Sequence, residues 1–284
     1  MEIITQVKEM QKRVEVYRNA GKSVGFVPTM GALHEGHFSL MRQARKDNDL
    51  VIISIFVNPL QFGPGEDYEC YPKDLDRDRE LAEEVGVDII FAPPPKEMYP
   101  QTSSTFVEVE RLSEGICGRD RPGHFRGVAT VVTKLFNITK PHRVYFGQKD
   151  YQQALIIKRM IEDLNFDMEF VLMPIIREED GLAMSSRNTY LNQREREQAL
   201  ILYRSLKKAE ELLDGGERRS EVILEEIREM ISKEDIAQID YIGLYHPETL
   251  AEIETVEQEA LIALAVRIGK TRLIDNLLWR KKSG

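Results

Sequence analysis

Cysteine is scarce in this 284-residue chain. Only Cys70 and Cys117 are present, alongside five histidines. They form no CxxC pair, and two thiols with few nearby histidines argue against a metal cage. Two reduced, unpaired thiols fit a cytosolic protein, so the cytoplasm is the expected location. Positive charge is also in short supply, with 39 basic against 48 acidic residues and a net charge of −9. Such a surface argues against nucleic acid as a partner, because phosphate contacts need clustered Lys and Arg. An anionic ligand must then be met by a local positive site. No apolar run approaches membrane-spanning length, and the charged, amphipathic N-terminus is unlike a secretory signal. Neither a membrane nor a leader is expected. Internal repeats and low-complexity tracts are missing too.

What is present is an ordinary core-forming composition, 42% hydrophobic and 31% charged, enough for a main domain plus a smaller one. Residues 1–22 read as a first helix. Strand signals follow at Lys22–Val27, Leu50–Val57, Val87–Ala92, weakly at Thr105–Val109, then at Arg143–Phe146 and Met168–Ile176. Leu50–Val57 is a continuous β-branched run of the kind buried on both faces of a parallel sheet. Helical patterns lie between at His37–Lys46, Asp74–Val85, Phe125–Ile138 and Tyr151–Leu164. This alternation predicts βαβ units in a Rossmann-like, doubly wound α/β fold, with ligands beyond the C-terminal strand ends. Near residue 180 the pattern changes. Asn192 and Glu195 signal a capping box for a helix through about Leu213, and a charged helix over Arg218–Ser232 follows the Gly215-Gly216 break. Three strand candidates, Gln238–Tyr245, Leu261–Ile268 and Arg272–Leu278, suit an antiparallel sheet. The expected division is a domain over 1–180 and a smaller α+β domain over 181–284.

Four segments carry chemistry. The first, Val27–His37, reads VPTMGALHEGH and joins a strand to a helix. Gly31 and Gly36 let the backbone approach a ligand, and the helix start offers unpaired N–H groups to a phosphate. The dipole there contributes only about 0.3–2 kcal/mol, so His34 and His37 are needed as further donors. Their spacing misses the HExxH zinc pattern. The second, FVNPLQFGPGEDYECY, spans Phe56–Tyr71 and supplies Asn58 and Gln61, neutral amides suited to hydroxyl and carboxylate groups. The third, Phe146–Gln153, reads FGQKDYQQ; Asp150 and Gln153 fit a structural cap, whereas Lys149 is placed to meet phosphate. The fourth is IREEDGLAMSSRN, Ile176–Asn188, where Ser185, Ser186 and Arg187 offer two hydroxyls and a planar cation. Read blandly, these are a Gly-rich turn, an Asn/Pro turn, a capping box and a surface loop.

His34-Glu35-Gly36-His37 resembles the H-x-G-H signature of the nucleotidyltransferases and class I synthetases, and the full PTMGALHEGH string resembles the pantothenate synthetase family. The resemblance covers the first domain and the junction, with four motifs in order. It implies that Met30, Gly31, Ala32, Leu33, His34, Glu35, Gly36 and His37 bind ATP. It implies the same of Gly147, Gln148, Lys149 and Asp150, and of Ile176, Met184, Ser185, Ser186 and Arg187. Gln148 stands where the family commonly has Glu. NPLQFGPGED resembles the family's pantoate loop, so Gln61 is expected to contact pantoate and β-alanine, with Gln153, Asn58 and Met30 as further substrate contacts. Asp78 would correspond to a magnesium-contacting acid, although Asp74 and Asp76 are near and a solvated helix charge explains it equally. Arg121, in RPGHFRGV, matches another family motif. His37, His34, Lys149 and Arg187 are the expected catalytic groups. ATP and Mg²⁺, pantoate, β-alanine and a homodimer complete what the resemblance implies.

The implied reaction is pantoate adenylation followed by amide formation with β-alanine, in a cleft that the smaller domain covers as a lid. One rival is another H-x-G-H adenylyltransferase acting on a small phosphorylated acceptor. That enzyme needs extra basic residues, whereas the Asn58–Gln61 loop is neutral. A class I tRNA synthetase fragment is disfavoured by the acidic charge, and a nucleotide-sensing module on the same fold would lack turnover.

Overall fold

The computed structural model describes residues 1–281. The chain separates into two compact units: residues 1–148 with 152–174, and residues 149–151 with the segment from 175 onward. The last three residues of the expected second domain lie outside the described residues.

Among the described residues, the first unit holds six parallel strands in the order β1-β4-β3-β2-β5-β6. They are β1 (Glu2–Ile4), β2 (Val24–Thr29), β3 (Leu50–Ile55), β4 (Ile89–Phe91), β5 (Arg143–Gly147) and β6 (Glu169–Met173). Helices α1 (Val7–Asn19), α2 (Glu35–Asp47), α3 (Leu75–Glu84), α6 (His124–Thr139) and α7 (Tyr151–Asp163) form the crossovers, with single turns α4 (Pro95–Met98) and α5 (Cys117–Asp120) between them. Successive strand residues point to opposite faces. Phe26, Leu50, Ile52, Ile89 and Phe91 accordingly join one core with Met10 and Val14 of α1 and Val128, Val132 and Phe136 of α6. Val27, Val51, Ile53 and Ile90 join the other with Leu40, Met41 and Ala82 from α2 and α3. A sheet covered on both faces explains why β3 is apolar at nearly every position. Strand order reverses between β2 and β5, both central, and ligands of such sheets bind at the C-terminal strand ends there.

Three local expectations change. Residues 2–4 form a strand ahead of α1, because Glu2, Ile3 and Ile4 pair in register with Ile89, Ile90 and Phe91 at the sheet edge. Residues 105–109 form no strand; Val107 N–H bonds instead to the Thr130 hydroxyl of α6 at 3.0 Å. The helix expected from 192 to 213 is two, α8 (Gln193–Ala199) and α9 (Ile201–Asp214), meeting at Leu200. Its capping box is present, with Asn192 Oδ1 accepting from Glu195 N–H at 3.0 Å and Glu195 Oε2 from Asn192 N–H at 2.9 Å.

The second unit packs α9 and α10 (Ser220–Ser232) on an antiparallel sheet of β7 (Ala237–Tyr245), β8 (Glu259–Ile268) and β9 (Thr271–Arg280). Leu202, Leu206, Ala209 and Leu213 recur at helical spacing on α9, as Ile223, Ile227 and Ile231 do on α10. They meet Ala260, Ile262, Leu264 and Val266 of β8.

Candidate active site

The exit from β2 is held in an unusual backbone path. Gly31 and Ala32 have φ of +85° and +52°, and the Ala32 and Leu33 N–H groups both point at Asp78 on α3. Asp78 Oδ2 accepts from Ala32 at 2.9 Å and Oδ1 from Leu33 at 2.8 Å. A Cβ on Gly31 would stand 2.8 Å from Asp78 Oδ2, so this position needs glycine both for its dihedral and for space. Burial pushes the Asp78 carboxyl above its ordinary range, against the pull of the two amides.

The resemblance implies that Asp78 contacts magnesium; the structure shows it holding the loop after β2 through main-chain amides. The side chain is buried in the first unit, and each oxygen already receives a backbone N–H. Among the described residues, no three His, Cys, Asp or Glu side chains gather where they could hold a metal. Asp74, one of the neighbouring acids, caps α3 by accepting from Arg77 N–H at 3.0 Å.

Two histidines open α2. His34 is the N-cap, and its Nδ1 accepts from Gly36 N–H at 3.1 Å. His37 reaches back, its Nδ1 accepting from His34 N–H at 3.3 Å. This is a capping box built from two imidazoles, whose ring centroids are 4.1 Å apart. With each Nδ1 used as an acceptor, the proton of each neutral ring sits on Nε2. Both rings thus carry an Nε2–H donor at a helix N-terminus, where an anion is favoured. Glu35 is paired with Arg42, two turns on along the same face of α2.

The turn after β3 lies beside this loop. Gln61 is 9% exposed, and its Nε2 donates to the Met30 sulfur at 3.2 Å. Asn58, expected to touch substrate, is only 1% exposed and fully engaged. Its Nδ2 donates to Gln61 Oε1 and to the Gly127 carbonyl, both at 3.1 Å, and its Oδ1 accepts from Leu60 N–H at 3.3 Å and from the Tyr99 hydroxyl at 2.8 Å. Burial raises the Tyr99 phenol, which stays protonated and able to donate. Asn58 is thus a support behind Gln61. Gly127 of α6 lets the turn's backbone lie directly against the helix, since a Cβ there would meet the Leu60 carbonyl oxygen at 2.2 Å. Gln153, on α7, is half-buried. Its neighbour Gln152 is spent structurally, donating to the Leu112 and Gly115 carbonyls at 2.8 Å and accepting from Cys117 N–H at 3.1 Å.

β5 ends at Gly147, and a tight turn over Gln148–Asp150 leads into α7. Lys149 belongs to the second unit. Its carbonyl accepts from Asn276 Nδ2 on β9 at 2.9 Å, and its Nζ lies 4.0 Å from Asp150. Within that unit one cleft is lined by Lys149, Ser185, Arg187, Asn188, Arg272 and Asp275, among others. The sequence-expected Lys149, Ser185 and Arg187 are thereby brought together from positions far apart in the chain. Ser185 caps the 3-10 turn Ser186–Tyr190 by accepting from Arg187 N–H at 3.2 Å. The preceding ribbon is closed by Met184 N–H on the Ile176 carbonyl at 3.0 Å.

Two cleft residues, Arg272 and Asp275, escaped sequence reasoning, as did Asn276, which bonds the Lys149 carbonyl. Asp275 is 2% exposed and accepts from the two terminal guanidinium nitrogens of Arg177, at 2.6 and 3.0 Å. Burial pushes its carboxyl upward, with Arg177 opposing. Arg177 also stacks over the Tyr203 ring at 4.6 Å. The signal in the sequence was the Asp275-Asn276 pair set between Leu273-Ile274 and Leu277-Leu278.

A sequence model of the pantoate-beta-alanine ligase family matches residues 2–278. The chain is 56% identical to the pantothenate synthetase of Thermotoga petrophila over 278 residues, 98% of this chain and 99% of that protein. It is 54% identical to the corresponding enzyme of Thermodesulfovibrio yellowstonii over 279 residues, with the same coverage. Its fold matches the crystal structure of the Thermus thermophilus pantothenate synthetase with a TM-score of 0.93 at 47% identity, covering 98% and 99% of the two chains. A Francisella tularensis pantoate-beta-alanine ligase, crystallised with beta-gamma ATP and beta-alanine, matches at a TM-score of 0.79 and 36% identity, covering 98% of this chain and 97% of that one. None of these relatives favours the rival adenylyltransferase, and this chain belongs to the pantoate–β-alanine ligase family.

Proposed function

We propose that the chain couples pantoate to β-alanine at the expense of ATP through a pantoyl adenylate. A carboxylate has too poor a leaving group to form an amide in water. One carboxylate oxygen of pantoate attacks the α-phosphorus of ATP, and the bond to pyrophosphate breaks. The amine of β-alanine then attacks the activated carbonyl, AMP departs, and the nitrogen loses a proton. No covalent enzyme intermediate is required, so the protein's work is positioning and charge stabilisation.

His34 and His37 supply Nε2–H donors to phosphate oxygens, on a loop whose amides Asp78 aligns. Lys149, Ser185, Ser186 and Arg187 supply cations and hydroxyls to the same nucleotide, with Met184 and the backbone at Ile176 beside it. Gln61 and Gln153 bind pantoate, with Met30 alongside. Asn58 contributes by fixing Gln61. Magnesium enters as part of the ATP substrate. A homodimer in the cytoplasm belongs to the same reading.

The observation that supports it best is the 3.2 Å contact of Gln61 with Met30, which puts a neutral amide turn directly beside the histidine loop. An uncharged subsite next to a phosphate site suits a small hydroxy acid better than a phosphorylated acceptor. The test is purified protein with ATP, magnesium, pantoate and β-alanine. Pyrophosphate release should require pantoate, and AMP release should require β-alanine as well. Pyrophosphate release driven by a phosphorylated acceptor, without pantoate, would refute the reading.

A further inference from the structure

The Gln61 side chain has its own contacts, but its main chain is held by Arg121, at the end of α5, and by His124, at the start of α6. The Gln61 carbonyl lies 2.7 Å from His124 Nδ1 and accepts from Arg121 NH2 at 3.3 Å. Arg121 NH1 lies 3.0 Å from His124 Nε2, and Arg121 also donates to Glu66 through Nε at 2.7 Å. A guanidinium can only donate and a carbonyl can only accept. His124 Nε2 must therefore be the acceptor and Nδ1 the donor. A single state satisfies both contacts: the neutral ring protonated on Nδ1. The other tautomer would set N–H against N–H and lone pair against lone pair. The imidazolium would set two cations 3.0 Å apart.

His124 is the first residue of α6, and one turn later Gly127 gives up its side chain to the same turn and its carbonyl to Asn58. The first turn of α6 thus grips residues 58–61 at successive points. We propose that His124, as the Nδ1–H tautomer, is a positioning residue for the acid subsite: it fixes the Gln61 main chain so that the side chain meets pantoate. This rests on the reading of Gln61 given above.

Two substitutions separate the ring's two functions. In His124→Asn the amide nitrogen stands where Nδ1–H stood and keeps the donor to the Gln61 carbonyl. In His124→Gln the amide reaches the Nε2 position, accepts from Arg121 and leaves the carbonyl without the ring's donor. The Gln variant should raise the KM for pantoate roughly 5–10-fold, the size of one lost hydrogen bond, while the Asn variant stays within about 2–3-fold of the parent. The KM for ATP and kcat should hold in both. Equal effects in the two variants, or an effect on ATP, would overturn the proposal. Gln61→Ala is measured in parallel. If it leaves the KM for pantoate unchanged, the reading of Gln61 fails and this inference with it; if it raises that KM while His124→Gln does not, the inference alone fails. An activity-independent check is the ¹H–¹⁵N correlation pattern of the His124 ring in the intact protein. A proton on Nδ1 is expected, and a proton on Nε2 would overturn the assignment.

Discussion

Asp78→Asn tests whether this acid aligns a loop or binds a metal. The substitution keeps the side chain's shape. One amide oxygen can still accept from Leu33 or Ala32, but the other position becomes an NH₂ facing a backbone N–H at a distance now near 2.9 Å. The loss is one buried N–H left without its charged acceptor, about 1–3 kcal/mol. Gly31 and Ala32 have positive φ, so the loop has little reason to keep this path unaided. Expressed in nucleotide binding, the loss corresponds to roughly 5–150-fold weaker affinity, at about 1.4 kcal/mol per decade. The assay is calorimetric titration with AMP in the presence of EDTA, where no metal contributes. Affinity should fall by that factor, and raising magnesium should not restore ATP-dependent turnover. Unchanged AMP affinity in EDTA, together with turnover recovered at high magnesium, would refute the loop-clamp reasoning and return Asp78 to the metal.

Other outcomes follow from the same geometry. His37→Asn keeps an acceptor for the His34 amide but removes the Nε2–H, so pantoate-dependent pyrophosphate release should slow by roughly 10²–10⁴ with little change in melting temperature; a normal rate would free His37 of the role. Gly127→Ala drives a methyl into the Leu60 carbonyl and shifts the turn that carries Gln61, which should weaken kcat/KM for pantoate roughly 10–100-fold while ATP binding holds. Arg177→Ala strands a buried carboxylate and should cost about 3–5 kcal/mol in urea unfolding, and adding Asp275→Asn should recover much of it. Equal destabilisation of the single and double variants would show that the loss is packing against Tyr203.

The legible parts of the sequence were those where one local pattern decides the outcome. Leu50–Ile55 declares a strand buried on both faces, and Asn192 with Glu195 declares a helix start. Motifs following strands could be placed at C-terminal strand ends because a parallel sheet leaves them nowhere else. The failures have a common cause, which is partners distant in sequence. Three residues at the N-terminus carry too little pattern to show that they pair with β4. Asp78 meets main-chain amides 45 and 46 positions away, partners that no side-chain motif reveals. Asn58 offers the right chemistry for a ligand, yet Tyr99 and Gly127 consume it. Asn276 donates to Lys149 across 127 positions, and His124 reaches Gln61 across 63.

Residues 149–151 leave one compact unit to join the other, although the chain on either side of them stays behind. The smaller unit is therefore not a contiguous stretch of polypeptide. A fragment cut at residue 175 would carry β9 but lack the carbonyl that Asn276 was shaped to meet, along with the cleft's lysine. Gene fusions, domain exchanges between relatives and split-protein designs that cut there would inherit a binding surface missing its own piece, and a transplant of this unit has to bring the 149–151 turn with it.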